Sequence, residues 1–336
     1  MTAISHYCTY FDHRYLSRGL ALYGSMRRHC GPFRLWVLCL SDECHAVLSA
    51  LALPGVVALR LADLEAHDRA LPAAKADRSV IDYYFTCTAT LMAWLFESHS
   101  DIGVLTYLDA DLFFFRSPDF LLDEFEGSSI FIVPHNFSPR NRHLARYGIY
   151  NVGWVSLRRD ESGQACLAWW RQSCLDWCRD DEVEGRFADQ KYLDQFPERF
   201  SGVRISRHPG VNLAPWNLDN HTLSLGGDGA PLVDGKRLIF FHFHGLRRLA
   251  PFLWNTQTRE FGAPLNRLVR SLIYAPYLVA LESAESTIRP LLRGRAAPLV
   301  RESAGRYASP LLSRLRALAA LLLRGGGLWV VAKKVL

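Results

Sequence analysis

The sequence has no Cys-x-x-Cys pair. Its eight cysteines, Cys8, Cys30, Cys39, Cys44, Cys87, Cys166, Cys174 and Cys178, are spread mostly through apolar segments. This spacing argues against a thiolate zinc site and a dense disulfide framework, and predicts buried, reduced thiols. No secretory leader is expected: where its apolar core would stand, residues 1–17 interleave Ser5, His6, Asp12, His13 and Arg14. A cytoplasmic protein is therefore expected. No uninterrupted apolar stretch approaches the roughly 18 residues of a membrane span, and there is no internal repeat or long low-complexity linker. What is present is 336 residues of 49% hydrophobic composition, enough to bury a large core.

The net charge of +6 is unevenly placed. Beyond Thr287 stand ten basic residues, from Arg289 to Lys334, against Glu302 alone, so that tail carries +9 and residues 1–286 carry −3. Leu311, Leu312, Leu315, Leu318, Leu322 and Leu323 recur at roughly helical spacing beside Arg314, Arg316 and Arg324, and an apolar patch, Leu328 to Val331, follows. Such a helix either lies on an anionic membrane surface or packs on the body of the protein. The composition shift near Phe261 to Leu265 divides the chain into a domain over 1–262 and a helical, basic extension over 263–336.

Hydrophobic runs alternate with helical periodicities, which predicts an α/β architecture with a mostly parallel sheet flanked by helices. Strands are expected at Ile4 to Phe11, Arg34 to Leu40, Val56 to Leu61, Ile102 to Leu108, Leu112 to Phe115, Ser129 to Pro134, Tyr150 to Leu157 and, last, Leu238 to Phe241. Helical stripes run through Leu16 to Met26, Ile81 to Leu95, Cys166 to Cys178 and Ala188 to Phe196.

The fourth of these strands runs directly into Asp109-Ala110-Asp111. Side chains alternate along extended chain, so both carboxylates face one side and can reach one cation. Hard oxygen ligands suit Mg²⁺ or Mn²⁺, which share their shell with substrate phosphates. Taken alone the triplet also fits a capping pair or a surface turn. His242-Phe243-His244-Gly245 closes the α/β region, followed at once by Arg247 and Arg248. Imidazole is an acceptable Mn²⁺ ligand, Gly245 lets backbone approach a phosphate, and a guanidinium pair suits a diphosphate. Internally bonded strand histidines remain the plainer alternative. Asp12 and Asp82 stand where helices start, positions at which acids cap in any protein.

In order along the chain, Thr9-Tyr10-Phe11-Asp12, Ile81-Asp82-Tyr83-Tyr84-Phe85-Thr86, Tyr107-Leu108-Asp109-Ala110-Asp111, Tyr150-Asn151-Val152-Gly153, Asp189-Gln190 and Phe241-His242-Phe243-His244-Gly245 resemble the GT-A nucleotide-diphospho-sugar transferases, most closely family 8 glycosyltransferases of bacterial surface-polysaccharide synthesis. The resemblance covers Ser5 to Trp254. It implies a Rossmann-like GT-A fold, with donor-nucleotide contacts from Tyr10, Phe11, Asp12 and Asp82, and Asp109 touching ribose as well as metal. Asp111 and His242 complete the metal ligands, Asn151 lies near the donor sugar, and Asp189 with Gln190 lies beneath its ring. The usual Lys-Pro-Trp after the last motif is replaced by Leu246-Arg247-Arg248, which makes Arg247 the expected phosphate cation.

The resemblance further implies Mn²⁺ or Mg²⁺, a UDP-linked donor, a glycan or glycolipid acceptor, and retention of configuration. No nucleic-acid partner is expected. Two alternatives stay open, a nucleotidyltransferase and a non-catalytic carbohydrate or membrane binder. The first lacks its usual glycine-rich basic loop between Thr9 and Arg18, and the second predicts no metal dependence.

Overall fold

Seven strands form the central sheet of the computed structural model, which describes residues 4–250, 253–292, 327–331 and 334–335. They are β1 (Ser5–Phe11), β2 (Phe33–Cys39), β3 (Val56–Arg60), β4 (Val104–Leu108), β6 (Ile130–Pro134), β7 (Tyr150–Arg158) and β8 (Val203–Ile205), while β5 (Leu112–Phe114) pairs elsewhere. The order is β3-β2-β1-β4-β7-β6-β8, and only β7 runs antiparallel to its neighbours. β2 is buried through both parities from Leu35 to Cys39, as a strand covered by helices on both faces must be.

The strand order positions the site. From β1 the chain winds outward through β2 to β3, then returns to lay β4 on the other side of β1. In a doubly wound sheet this reversal opens a crevice beyond the carboxyl ends of the two strands. Asp12 follows β1 there, and Asp109 follows β4. β5 pairs antiparallel with strand Phe240–His242, in the register Phe240↔Phe114 and His242↔Leu112. That pairing carries a residue from far down the chain back to the end of β4.

Several sequence expectations are corrected. Phe240–His242 is not the last strand, because Arg247–Ala250, Leu253–Asn255, Gly327–Val331 and Lys334–Val335 continue into a second sheet. The segment from Leu328 to Val331, expected within a helical extension, is a strand whose Trp329 pairs with Leu253. Aromatic and β-branched residues favour extended chain, and the edge of Leu253–Asn255 supplies the partner groups. The stripe Ala188 to Phe196 is a turn followed by short helices, Lys191–Gln195 and Phe196–Arg199. The expected leucine-rich helix over 311–323 lies outside the described residues. Among those described, no helix is long and apolar enough to cross a membrane.

Helix Ala275–Ile288 follows residue 263 but joins the packed body, burying Tyr277, Leu278, Leu281, Ala284, Glu285 and Ile288. Tyr277 stacks on Phe243 at 3.7 Å between ring centroids. Glu285, 3% exposed, pairs with Arg248 at 2.6 Å, and the Arg248 guanidinium lies 4.5 Å from the Trp254 ring. Removing one partner of a buried pair strands the other charge. Glu285→Ala is therefore expected to lower unfolding stability by about 3 kcal/mol in chemical denaturation, with Glu285→Gln losing less; an unchanged midpoint would show the pair to be idle.

All eight cysteines are free, and all but Cys30 are buried. This agrees with reduced thiols placed in apolar segments.

Candidate functional site

Asp109, Asp111 and His242 converge at the crevice. One ligand atom from each lies within 4.8 Å of the others. His242 Nε2 stands 3.1 Å from Asp111 Oδ1 and 3.6 Å from Asp109 Oδ2, with the Asp109 and Asp111 side chains 24% and 14% exposed. Two carboxylates and one imidazole are a chemically suitable donor set for a hard or borderline divalent cation. His244 stays outside this set. Its ring lies 5.4 Å from Trp216.

Asn151 fixes how His242 presents itself. The Gly153 amide can only donate, so the Asn151 atom it meets at 3.1 Å is Oδ1. The same oxygen lies 3.2 Å from His242 Nδ1, which must then carry a proton, so that the neutral ring has its lone pair on Nε2, the nitrogen that faces the acids. Asn151 Nδ2 donates to His135 Nε2 at 3.1 Å and to Gln190 Oε1 at 3.0 Å. His135 is accordingly unprotonated at that nitrogen: burial, followed by the charges of His242 and His244, pushes it down to about 3.

Gly153 lets these groups meet. A Cβ there would lie 2.5 Å from Asn151 Oδ1, 3.1 Å from His242 Nδ1 and 3.2 Å from Asp109 Oδ2. The β6–β7 register shifts between Ile132 and Val133, so residues around Gly153 leave the ladder and re-aim Asn151. An isolated glycine inside a strand pattern is the sequence sign of such close approach. The motif around it was visible, but its role was not.

Titration behaviour follows from enclosure and proximity. Burial raises Asp109, His242 opposes this and Asp111 adds to it, bringing the carboxyl to about 6. Burial also works against charge on Asp111, but the charge and hydrogen bond of His242 prevail and hold it down at about 2. For His242 burial favours the neutral ring, yet Asp111 and then Asp109 outweigh it and raise its pKa.

Asp189 falls in the stripe Ala188 to Phe196 that the sequence reads as helical, a setting in which acids are commonly solvated. It is instead 1% exposed, in the turn before Lys191–Gln195, and accepts a 2.6 Å bond from Thr88 Oγ1. Burial raises it to about 7, against the Thr88 bond and with help from Asp109. Thr88 also reaches Tyr10 OH at 3.3 Å, and Tyr10 lies 5.6 Å from Tyr107. Gln190 Nε2 donates to Tyr147 O at 3.1 Å, so both ends of its amide are engaged.

The remaining expected residues divide. The Phe11 ring is 4% exposed and packs against Gly19, where a Cβ would overlap it. Asp12 caps the short helix His13–Tyr15 by accepting from Arg14 N at 2.9 Å. Asp82 forms a capping box with Ser79 on helix Val80–Ser98 and accepts from Asp180 N at 2.7 Å. Its structural role is thereby accounted for. Gly245 has φ +70°, and a Cβ there would meet the Gln257 side chain. Arg247 is exposed on strand Arg247–Ala250, whereas Arg248 turns into the body toward Glu285.

Two further contributors went unread. Arg18, 4% exposed, donates to Leu246 O at 2.7 Å and feels the charges of Asp111 and Glu285. Trp216 is 3% exposed and packs 5.1 Å from the His242 ring, with its Nε1 donating to His135 O at 2.9 Å. It supports the site from below. A buried arginine in a helix otherwise marked by its apolar stripe gives little sequence signal of its partners.

The fold is the GT-A fold of glycosyltransferases. It matches the galactosyltransferase LgtC, solved with donor and acceptor sugar analogues, with a TM-score of 0.51 at 14% identity, covering 83% of this chain and 95% of that one. The chain belongs to the family of the uncharacterized protein YfnF of Bacillus subtilis (strain 168), to which it is 32% identical over 250 residues, 72% of this chain and 82% of YfnF. It is also 26% identical over 284 residues to the uncharacterized YfnD of the same organism, covering 82% of this chain and 88% of YfnD. No protein-family model matches the sequence.

Proposed function

We propose that the protein is a metal-dependent glycosyltransferase that moves a sugar from a nucleoside diphosphate, with UDP preferred, to a glycan or glycolipid hydroxyl. The observation that carries this reading is the convergence of Asp109, Asp111 and His242 at the reversal point of the sheet. These three would hold Mn²⁺ or Mg²⁺. When bound, such a cation supplies charge neutralisation for the leaving diphosphate.

The protein's own groups then position and shield the substrates. Asn151 orients His242 and Gly153 leaves room, while Tyr10 and Asp109 would contact the nucleoside. Arg247 would hold the diphosphate from the exposed side, as a guanidinium can by paired hydrogen bonds. Asp189 and Gln190 would lie beneath the sugar. An inverting reaction needs an accessible carboxylate base, and Asp189 would be the acid to serve as one. Because it is enclosed and engaged by Thr88, retention is the better-supported course. Most of the rate would come from positioning and electrostatics. The +9 tail, and with it a place at the inner face of a membrane, fits an acceptor carried on lipid.

The test is release of nucleoside diphosphate from a panel of nucleotide sugars, with Mn²⁺, with Mg²⁺ and with chelator. Metal is expected to raise the rate at least about 10²-fold for one donor. Equal rates in chelator, or no turnover across the panel, would overturn the proposal.

A further inference from the structure

The loop that delivers Asp189 and Gln190 also builds one wall of a second cleft. Ala188 N bonds back to Arg179 O at 2.9 Å, and Val183 and Arg186 exchange backbone bonds at 3.1 and 2.9 Å, so residues 179–188 form a hairpin. Glu184 and Gly185 turn it with φ of +52° and +73°. Opposite stands the end of the short helix Pro139–Tyr147. Between them lies an open cleft of about 440 Å³ lined by Arg146, Tyr147, Asp180, Asp181, Glu182 and Phe187.

The lining has the chemistry of a sugar site. The Tyr147 and Phe187 rings meet at 4.8 Å and 56°, a half-buried aromatic corner onto which the C–H face of a pyranose can pack. Arg146 lies over Tyr147 at 4.7 Å and donates to its hydroxyl at 2.8 Å. Three carboxylates against one guanidinium accept hydroxyl or ammonium hydrogens and repel anions.

The cleft is joined to the metal triad by a chain of hydrogen bonds. His242 meets Asn151, Asn151 meets Gln190, and Gln190 meets the carbonyl of Tyr147. Along that line the diphosphate belongs at the triad, the transferred sugar at Asp189 and Gln190, and the incoming sugar beyond them. An acid-rich wall is a poor place for donor phosphates, which further assigns the cleft to the other substrate.

We propose that this cleft is the acceptor subsite and takes the terminal sugar of a glycan, neutral or amino-bearing but not anionic. The proposal rests on the glycosyltransferase reading, and its first measurement needs no turnover. Saturation-transfer NMR on the full chain would use methyl glucoside, methyl glucosaminide and methyl glucuronide as probes. The first two are expected to bind and the glucuronide not, with Asp181→Lys together with Glu182→Lys reversing that preference. Phe187→Ala is expected to lower the ratio of transfer to acceptor-free donor hydrolysis at least tenfold.

Binding of no glycoside to the wild-type protein, a preference for the glucuronide, or an unchanged ratio in Phe187→Ala would each overturn the assignment. A donor KM that rises in hydrolysis as much as the acceptor KM does in transfer would hand the cleft to the donor sugar instead. Absence of any metal-dependent donor hydrolysis in the wild type would remove the transferase reading, while the NMR arm would still decide whether the cleft takes sugar.

Discussion

Asp111→Asn and His242→Ala are each expected to lower metal-dependent turnover by about 10²- to 10³-fold while leaving the protein folded. The two side chains stand 3.1 Å apart and, with Asp109, form the metal-ligating group found among the described residues. Losing either leaves two donors and a weaker hold on the cation. Folding should survive because Asp111, 14% exposed, is not part of the apolar core, and asparagine keeps its size and an oxygen that can accept from His242. Initial rates beside thermal melts separate the two effects. Full activity in either variant, with Mn²⁺ affinity intact, would sink the site.

Metal binding near neutral pH is expected to expel a proton. In the metal-free protein burial favours a neutral His242, but Asp111 and Asp109 outweigh it and raise its pKa. A ligating imidazole must be neutral, and the Asn151 bond keeps its remaining proton on Nδ1, so the proton lost is the one on Nε2. Affinity should therefore fall as pH drops below the raised pKa of His242, by up to about tenfold per unit, and level off above it. Asp109, lifted to about 6 chiefly by burial, would add a second proton to the competition at lower pH. Calorimetry of Mn²⁺ binding in buffers of different ionisation enthalpy reads the proton count directly. An affinity flat across neutrality, with no proton released, would mean that His242 is not a ligand.

An acceptor cleft beside the metal site would divide the labour between two parts of the molecule. If both hold, the loop over residues 179–188 sets acceptor choice while also placing Asp189 and Gln190, so substitutions at its tip should shift specificity more than chemistry.

The main strands were legible because their signals are local. β1, β2, β3 and β4 read as short apolar runs, and the end of β4 announced Asp109 and Asp111 by position alone. The pairing of His242 with those acids depended on family resemblance, since 131 residues separate His242 from Asp111 and no periodicity reports that β5 pairs with Phe240–His242. Apart from Phe240–His242, the small strands from residue 203 onward were missed for another reason. At two to five residues, they are too short to show an alternation and are held by pairing with distant segments.

Asp82 and Asp12 behaved as sequence position suggests, capping helix starts, because capping is settled within three residues. Asp189 did not, since its burial depends on helix Val80–Ser98 bringing Thr88 against it.

By itself, the sequence determined the α/β class, the parallel core of the sheet, the buried thiols and the acids at a strand end, all consequences of alternation, apolar runs and residue chemistry along neighbouring positions. Only the tertiary structure decided that Gly153 makes room for the metal group, that Asn151 sets the tautomer of His242, that Asp189 is enclosed, and that Glu285 anchors Arg248. Each of those is a contact between segments remote in sequence, where charge, burial and clearance depend on three-dimensional distance.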